Sequence, residues 1–134
     1  MEIHIPSEYG YEKVAMASAA AVAKRMGFSP DRIDDLKTAV AEACLNALEH
    51  GNELDVSTKV MIVMTAQESG LEVHVTDAGK QPMPNTLPQP SDQPGERHRG
   101  IFIIKHLMDE VEFSSMPTGG NQIRMVIHMN KPSS

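Results

Sequence analysis

The apolar positions in the first half of the chain recur with the spacing of α-helices. A first helical stretch runs from about Ser7 to about Met26, and the segment MGFSPD interrupts it. Ser29 is a good N-cap and Pro30 suits the first helical position, so we expect a second helix from there to Gly51. The apolar positions of the second helix are Ile33, Leu36, Val40, Ala43, Ala47 and Leu48.

Short segments with alternating apolar residues predict strands on both sides of the helices. EIHIP precedes the first helix, and STKVMIVMTAQ and LEVHVTD follow the second. The SG between the latter two predicts a hairpin. EVEFSS and NQIRMVIHM, joined by MPTGG, predict a closing pair of strands. Between the two pairs lie a long Pro- and Gly-rich loop and a helical segment, IFIIKHLMD, which is expected to begin after Gly100.

This order of elements favours the α+β class. Grouped helices and hairpins predict a two-layer α/β sandwich, in which helices pack on one face of a mixed, mostly antiparallel sheet. At 134 residues the chain is expected to form one domain, residues 1–134, with a core of its own.

Composition narrows the classes of function. The formal charge of −6 argues against direct nucleic-acid binding, which needs a basic patch. The single cysteine, Cys44, lies among small apolar residues and is expected to be a buried structural thiol. No apolar run reaches the roughly 20 residues of a membrane span, and the N-terminal segment lacks the features of a signal peptide. We therefore expect no membrane association and a cytoplasmic location.

Polar residues in the second helix are the first candidates for chemistry. Glu42 and Asn46 are four residues apart and project from one face; Glu49 joins them, and His50 lies at the flank. By spacing, this face is roughly opposite the apolar stripe, which favours a solvated surface. A second interpretation is chemical, because the Asn46 amide oxygen could bind Mg²⁺ beside phosphate oxygens. The Glu42 carboxylate could then accept a proton from a hydroxyl group.

Two further positions allow both a structural and a functional interpretation. Asp77 ends a strand shortly before Gly79, where an aspartate is commonly a turn former. It could instead accept a hydrogen bond from an exocyclic amine such as that of adenine, with Gly79 letting the backbone approach the ligand. Gly100 could be an ordinary helix start, or it could place backbone amides against phosphate.

Taken together, the order of these motifs resembles a known family. E-x-x-x-N-A-x-x-H-G is followed by a hairpin ending in D-x-G, a long loop, a Gly before a helix, and L-M-D-E-V. This order resembles the histidine-kinase-like (Bergerat) ATPase superfamily and, within it, the small anti-sigma-factor serine kinases of bacterial partner-switching systems. FSPDRIDDLKTAVAEACLNALEHGN and LMDEVEF are the most specific segments, and the resemblance covers nearly the whole chain.

The resemblance implies a Bergerat ATP-binding fold and a role for each candidate residue. Glu42 would be the general base of a serine/threonine kinase, and Asn46 would bind Mg²⁺ and the phosphates of ATP. Asp77 would bind the adenine amine, and residues 80–99 would form the ATP lid. The other residues implied to bind ATP are Glu49, His50, Gly79, Arg99 and Gly100.

The resemblance also implies partners. Members of this group phosphorylate a small anti-anti-sigma protein with a STAS domain, sequester a sigma factor, and are often homodimers. Such a regulator works by protein contact and phosphoryl transfer, so direct binding to nucleic acid or membrane is not implied.

Some positions depart from the family pattern. Gln81 and His98 stand where relatives carry glycines that border the lid, although Arg99 beside them could offer a charge to phosphate. Asn121 and Gln122 stand where many relatives carry threonine. An alternative function is therefore a module that keeps the fold, has weak or no catalysis, and regulates through protein–protein binding alone.

Overall fold

The sheet and the helices that cover it are defined by a computed structural model. It describes residues 1–79, 96–117 and 119–129, with residues 96–98 described by their backbone alone. Within this part of the chain, five strands form one sheet in the order β1-β2-β3-β5-β4. The strands are β1 (Glu2–Pro6), β2 (Lys59–Gln67), β3 (Gly70–Thr76), β4 (Glu110–Ser115) and β5 (Asn121–His128), and the helices are α1 (Glu12–Met26), α2 (Pro30–Asn46) and α3 (Glu96–Leu107).

The sheet confirms the predicted α+β class and both predicted hairpins. β2 pairs with β3, and β4 pairs with β5. The sheet was predicted to be mixed and mostly antiparallel, and each pairing among the described strands is in fact antiparallel. Hairpins account for the antiparallel pairing of β2 with β3 and of β4 with β5.

The core lies between the helices and one face of the sheet. Ala15, Ala19 and Ala23, spaced by four residues, are buried on α1, and their small side chains allow close packing. Helix α2 packs against both α1 and α3. On the strands, buried and less buried residues alternate, as expected for a sheet covered on one face. The buried strand residues on the helix side include Val60, Ile62, Met64, Leu71, Val73, Val75, Ile123, Met125 and Ile127.

The opposite face of the sheet carries charged side chains. Arg124 on β5 lies 3.4 Å from Glu72 on β3 and 3.5 Å from Glu110 on β4. His74 contacts Glu72, and His128 contacts Glu110. Burial raises the pKa of Glu72, but hydrogen bonds from His74 and Arg124 lower it by more, so its pKa lies below the ordinary value. This polar face explains why the apolar residues of the strands point to the other side.

A buried carboxylate joins α2 to the closing hairpin. Asp109 follows α3, and its side chain is 5% exposed. Its Oδ2 accepts hydrogen bonds from Arg32 Nη2 at 2.9 Å and from the backbone N–H of His128 at 2.7 Å. Arg32 Nη1 also donates to Asp35 at 3.0 Å. The motif LMDEV therefore includes a structural link between the helical layer and the sheet.

The starts of two helices differ from the sequence prediction. The start of α2 is confirmed, with Ser29 accepting from the N–H of Arg32. The first helix, however, begins at Glu12, because Ser7 is buried and its Oγ donates to the carbonyl of Thr58 at 3.0 Å. Ser7 thus joins the end of β1 to the start of β2.

Helix α3 also differs, since the expectation that Gly100 precedes it is wrong. The helix begins at Glu96, so Arg99 and Gly100 lie inside it. An acidic first residue favours a helix N-terminus, and the polar stretch before Gly100 had no periodicity from which to predict this start. The N–H of Gly100 is therefore not among the first four amides, which lack intrahelical partners.

No helix in the described part of the chain is both long and apolar enough to cross a membrane.

Candidate functional site

The end of α2 has an unusual backbone that shapes one wall of the site. The regular helix ends at Asn46, and a π-helical turn follows over Ala47–Gly51. The N–H of Asn52 closes it by donating to the carbonyl of Ala47 at 2.8 Å. The sequence predicted an ordinary helix to Gly51. Single π turns are rare and are frequently found at functional sites.

A cavity of about 260 Å³ lies where this wall faces α3. One side comes from α2 and its π turn, and the other from α3. The two contributing segments lie far apart in sequence, and the fold brings them together. The cavity is lined by Glu42, Leu45, Asn46, Glu49, His50, Arg99 and Gly100. Six of the eight candidate residues for catalysis or ATP binding therefore share one cavity.

The solvated-face interpretation of the second helix is wrong for Asn46. This residue is 4% exposed, whereas Glu42, Glu49 and His50 are partly exposed. The polar face is not opposite the core, because α3 packs beside α2 and shields part of it. The amide of Asn46 therefore lies in the wall of a cavity and not on an open surface.

Glu42 and Gly100 lie close together in the lining of the cavity. A Cβ atom added at Gly100 would lie 2.8 Å from Glu42 Oε2, closer than real Cβ contacts allow. Glycine inside a helix is less favourable than alanine by roughly 1 kcal/mol. Its presence here is explained by space, since it leaves room for the carboxylate of Glu42.

Asp77 lies in the turn after β3 and is 5% exposed. Its Oδ1 accepts from the N–H of Gly79 at 2.7 Å and from the N–H of Asn121 at 3.0 Å. Its own N–H donates to the carbonyl of Asn121 at 2.9 Å. The Gly79 contact is the one expected of a turn-forming aspartate. The N–H groups of Gly79 and Asn121 both contact Oδ1, and Oδ2 lies against a different neighbour.

That neighbour is Gly51, the last residue of the π turn. A Cβ atom added at Gly51 would lie 2.0 Å from Asp77 Oδ2 and 2.3 Å from Cγ. The π turn and the Asp77 carboxylate are thus packed without room for a methyl group. Among the described residues, neither Asp77 nor Gly79 lines the cavity itself.

Gly79 is placed by the backbone of the closing hairpin. Its φ is +84°, a conformation that side chains rarely adopt, and an added Cβ would lie 2.2 Å from the nitrogen of Gly120. Gly120 has φ +102°, and a Cβ there would lie 2.4 Å from the carbonyl oxygen of Asp77. At Gly79, therefore, the turn after β3 closely approaches the turn before β5.

Sequence reasoning missed four residues that build the site. Gly51 was predicted to end the second helix, Gly120 was part of the predicted turn MPTGG, and Asn121 was a departure from the family pattern. None of these residues, nor Asn52, was assigned to the site. Their partners are far away in sequence, so no local pattern identifies them. The one available signal was HGN, in which an asparagine follows a glycine that already suffices to end the helix.

The donor set fits a nucleotide polyphosphate with Mg²⁺. Within the described residues, no group of three or more His, Cys, Asp or Glu side chains could hold a metal. Mg²⁺ is commonly held by one or two protein oxygens together with phosphate oxygens and water, and the amide oxygen of Asn46 is suited to this role. The cavity is smaller than the roughly 300–1,000 Å³ of pockets for drug-sized ligands, so it suits the phosphates and metal better than a whole nucleotide.

Part of the predicted lid cannot be compared with these contacts. Residues 80–95, which include Gln81, and the side chain of His98 lie outside the part of the chain that the structure describes.

Comparison with known proteins agrees with the fold and with the sequence motifs. The family model of the histidine kinase-like ATPase domain matches residues 5–127. Serine-protein kinase RsbW of Bacillus velezensis is 34% identical over 139 aligned positions, and that of Bacillus subtilis (strain 168) is 33% identical. Both alignments cover 97% of this chain and 86% of the relative.

A solved structure shares the fold at lower sequence identity. The structure of the RsbU and RsbW domains of Rv1364c from Mycobacterium tuberculosis aligns with a TM-score of 0.66 at 19% identity. The alignment covers 99% of this chain and 34% of that chain, so the present chain spans about a third of its length.

Proposed function

Because the chain belongs to the RsbW serine-protein kinases of the histidine kinase-like ATPase family, we propose that it is an ATP-dependent serine/threonine protein kinase that acts as an anti-sigma regulatory factor. It would phosphorylate an anti-anti-sigma protein with a STAS domain and sequester a sigma factor, as a cytoplasmic homodimer. The observation that carries the proposal is the single cavity in which Glu42 and Asn46 of α2 meet Arg99 and Gly100 of α3.

The adenine end of the site is assigned to Asp77. A buried carboxylate whose Oδ1 is engaged by backbone N–H groups has a fixed orientation. Such a group can accept a hydrogen bond from the exocyclic amine of adenine, and hydrogen bonds to charged groups contribute about 1.5–3 kcal/mol. Gly79 follows in the same turn and completes this end of the site.

The phosphate end is assigned to the cavity. When bound, ATP would supply the γ-phosphoryl group, and Mg²⁺ would neutralise its charge. Asn46 would hold the metal through its amide oxygen, and Arg99 would offer a cation to the phosphates. Glu49 and His50 would flank the nucleotide from the π turn.

Glu42 is assigned as the general base. Its Oε2 lies against Gly100 at the wall of the cavity. From there the carboxylate would accept the proton of an incoming serine or threonine hydroxyl as its oxygen bonds to the γ-phosphorus, while the bond from phosphorus to the β–γ bridging oxygen breaks and ADP leaves. Positioned general bases contribute about 10²–10⁴-fold to rates.

Substitution of Asp77 tests the adenine assignment. Asp77→Asn keeps Oδ1 as an acceptor and replaces Oδ2 by an NH₂ group, so ATP affinity should fall about tenfold or more. Isothermal titration calorimetry with Mg²⁺–ATP measures this, and Asp34→Asn on the exposed face of α2 is the matched control. Equal ATP affinity in the wild type and Asp77→Asn would contradict the assignment.

Substitution of Glu42 tests the catalytic assignment. Glu42→Ala should still bind nucleotide but transfer phosphate about 10²-fold more slowly or worse. The assay follows ³²P from the γ-position of ATP to a purified STAS-domain partner, and Glu68→Ala, at an exposed position after β2, is the control. Undiminished transfer by Glu42→Ala would refute the role of base. If the wild type binds the partner protein but shows neither ATP binding nor phosphate transfer, the chain regulates by protein contact alone.

A further inference from the structure

The side chain of Asn52 is a fully buried amide whose two N–H groups and oxygen are all engaged. It is 0% exposed. Its Nδ2 donates to Ser7 Oγ at 2.9 Å and to the carbonyl of Lys59 at 3.2 Å. Its Oδ1 accepts from the N–H of Ala78 at 2.6 Å. The carbonyl and N–H partners fix which end of the amide is nitrogen.

These bonds connect parts of the chain that meet at the site. Ser7 follows β1, Lys59 begins β2, and Ala78 follows Asp77 directly. The backbone N–H of Asn52 also closes the π turn. The residue therefore ties the wall of the phosphate cavity to the turn that carries Asp77.

We propose that Asn52 is a positioning residue that sets the preference of this site for adenine, by holding the Asp77 turn at a fixed distance from the π turn. The inference rests on the proposed function, in which Asp77 accepts from the adenine amine. It concerns a residue that would not itself touch the nucleotide.

The packing around Asp77 explains why this distance matters. The turn is held from the β5 side by the bonds between Asp77 and Asn121, and Asn52 holds it from the helix side through Ala78. Gly51, next to Asn52, leaves no space for a Cβ beside Asp77 Oδ2. Without the Ala78 bond, the turn can move away from the π turn, and the carboxylate no longer meets the amine at hydrogen-bonding distance.

The test compares two nucleotides that differ in the amine alone. Dissociation constants of Mg²⁺–ATP and of Mg²⁺–purine riboside triphosphate, which lacks the exocyclic amine, are measured by calorimetry on the full chain. The wild type should prefer ATP about tenfold or more. Asn52→Ala should lose ATP affinity by about the same factor while its affinity for the analogue stays within about twofold, so that the preference disappears.

Ser7→Ala is the matched control. It removes one of the hydrogen bonds made by Asn52 and one made to Thr58, and it leaves the bond to Ala78. It should lower the thermal stability yet keep the wild-type preference for ATP. A merely structural role of Asn52 predicts that the two variants behave alike in both measurements.

Each outcome bears on a different claim. A wild type without preference for ATP refutes the adenine assignment of Asp77. If the wild type prefers ATP and Asn52→Ala keeps that preference, the positioning role of Asn52 is overturned. The same holds if Ser7→Ala loses the preference as much as Asn52→Ala does. If Asn52→Ala does not fold, amide hydrogen exchange of the wild type decides the matter. The N–H of Ala78 should exchange slowly, and the rate of an unprotected loop amide would overturn the proposal.

Discussion

The contact between Gly51 and Asp77 leads to a quantitative prediction for Gly51→Ala. The added Cβ would lie 2.0 Å from Asp77 Oδ2 and 2.7 Å from Asp77 Cβ, so the whole side chain must move. It cannot move freely, because the N–H groups of Gly79 and Asn121 hold Oδ1. The methyl group therefore either strains the π turn or expels the carboxylate from its bonds.

The size of the effect follows from these alternatives. Overpacking a buried contact costs about 1–3 kcal/mol, and each hydrogen bond lost from a charged group costs about 1.5–3 kcal/mol. Replacing glycine by alanine in a helical segment returns about 1 kcal/mol. We expect a net loss of about 2–4 kcal/mol in the free energy of unfolding, or roughly 10 °C in Tm, measured by urea and thermal denaturation.

Gly100→Ala is the comparison that isolates this cause. Its added Cβ would meet the end of a flexible side chain, Glu42 Oε2 at 2.8 Å, which can rotate away. Stability should be unchanged or higher by up to about 1 kcal/mol. If Gly51→Ala unfolds within about 0.5 kcal/mol of the wild type, the tight packing of Asp77 against the π turn is refuted.

Two further predictions concern the buried groups of α2. Arg32→Ala leaves the carboxylate of Asp109 buried without its guanidinium partner. In urea denaturation this variant should lose about 2 kcal/mol of the free energy of unfolding, a value discounted for the partial exposure of Arg32. Asp35→Ala removes the other, more exposed partner of Arg32 and is the control, which should lose less than about 1 kcal/mol. An equal loss in both variants would contradict the role given to Asp109. Burial, with a smaller contribution from the charge of Glu12, raises the pKa of Cys44 from 9.0 to about 12. As the pH rises, the unfolded chain releases the thiol proton first, so the thiol's contribution to stability is lost between about pH 9 and 12. A thiol reagent should label Cys44 only when the protein unfolds, and rapid labelling of the native protein at pH 8 would contradict the burial of this thiol.

Much of the fold could be predicted because its signals are local. Ser29 and Pro30 mark a helix start in consecutive residues, and the SG between two alternating segments marks a hairpin. The start of α3 at Glu96 could not be predicted in this way, because the polar residues before Gly100 carry no periodicity. Helices on this scale are stabilised mainly by tertiary packing, which a local pattern does not contain.

The candidate site was predictable in its residue types but not in its construction. Spacing placed Glu42 and Asn46 on one face, yet it also placed that face towards solvent. Asn46 shares its cavity with residues of α3, and Asp77 is held against Gly51 and Asn121. These contacts join segments that the sequence does not mark as neighbours, so they follow from the fold alone.

We propose that the cavity between α2 and α3 binds the phosphates of ATP together with Mg²⁺. Titration of the wild-type chain with ATP, with and without Mg²⁺, tests it most directly by calorimetry. We expect saturable binding of one ATP per chain that weakens when Mg²⁺ is omitted, since Asn46 would hold the metal against the phosphates. Absence of binding at millimolar ATP, or affinity that does not depend on Mg²⁺, would contradict it.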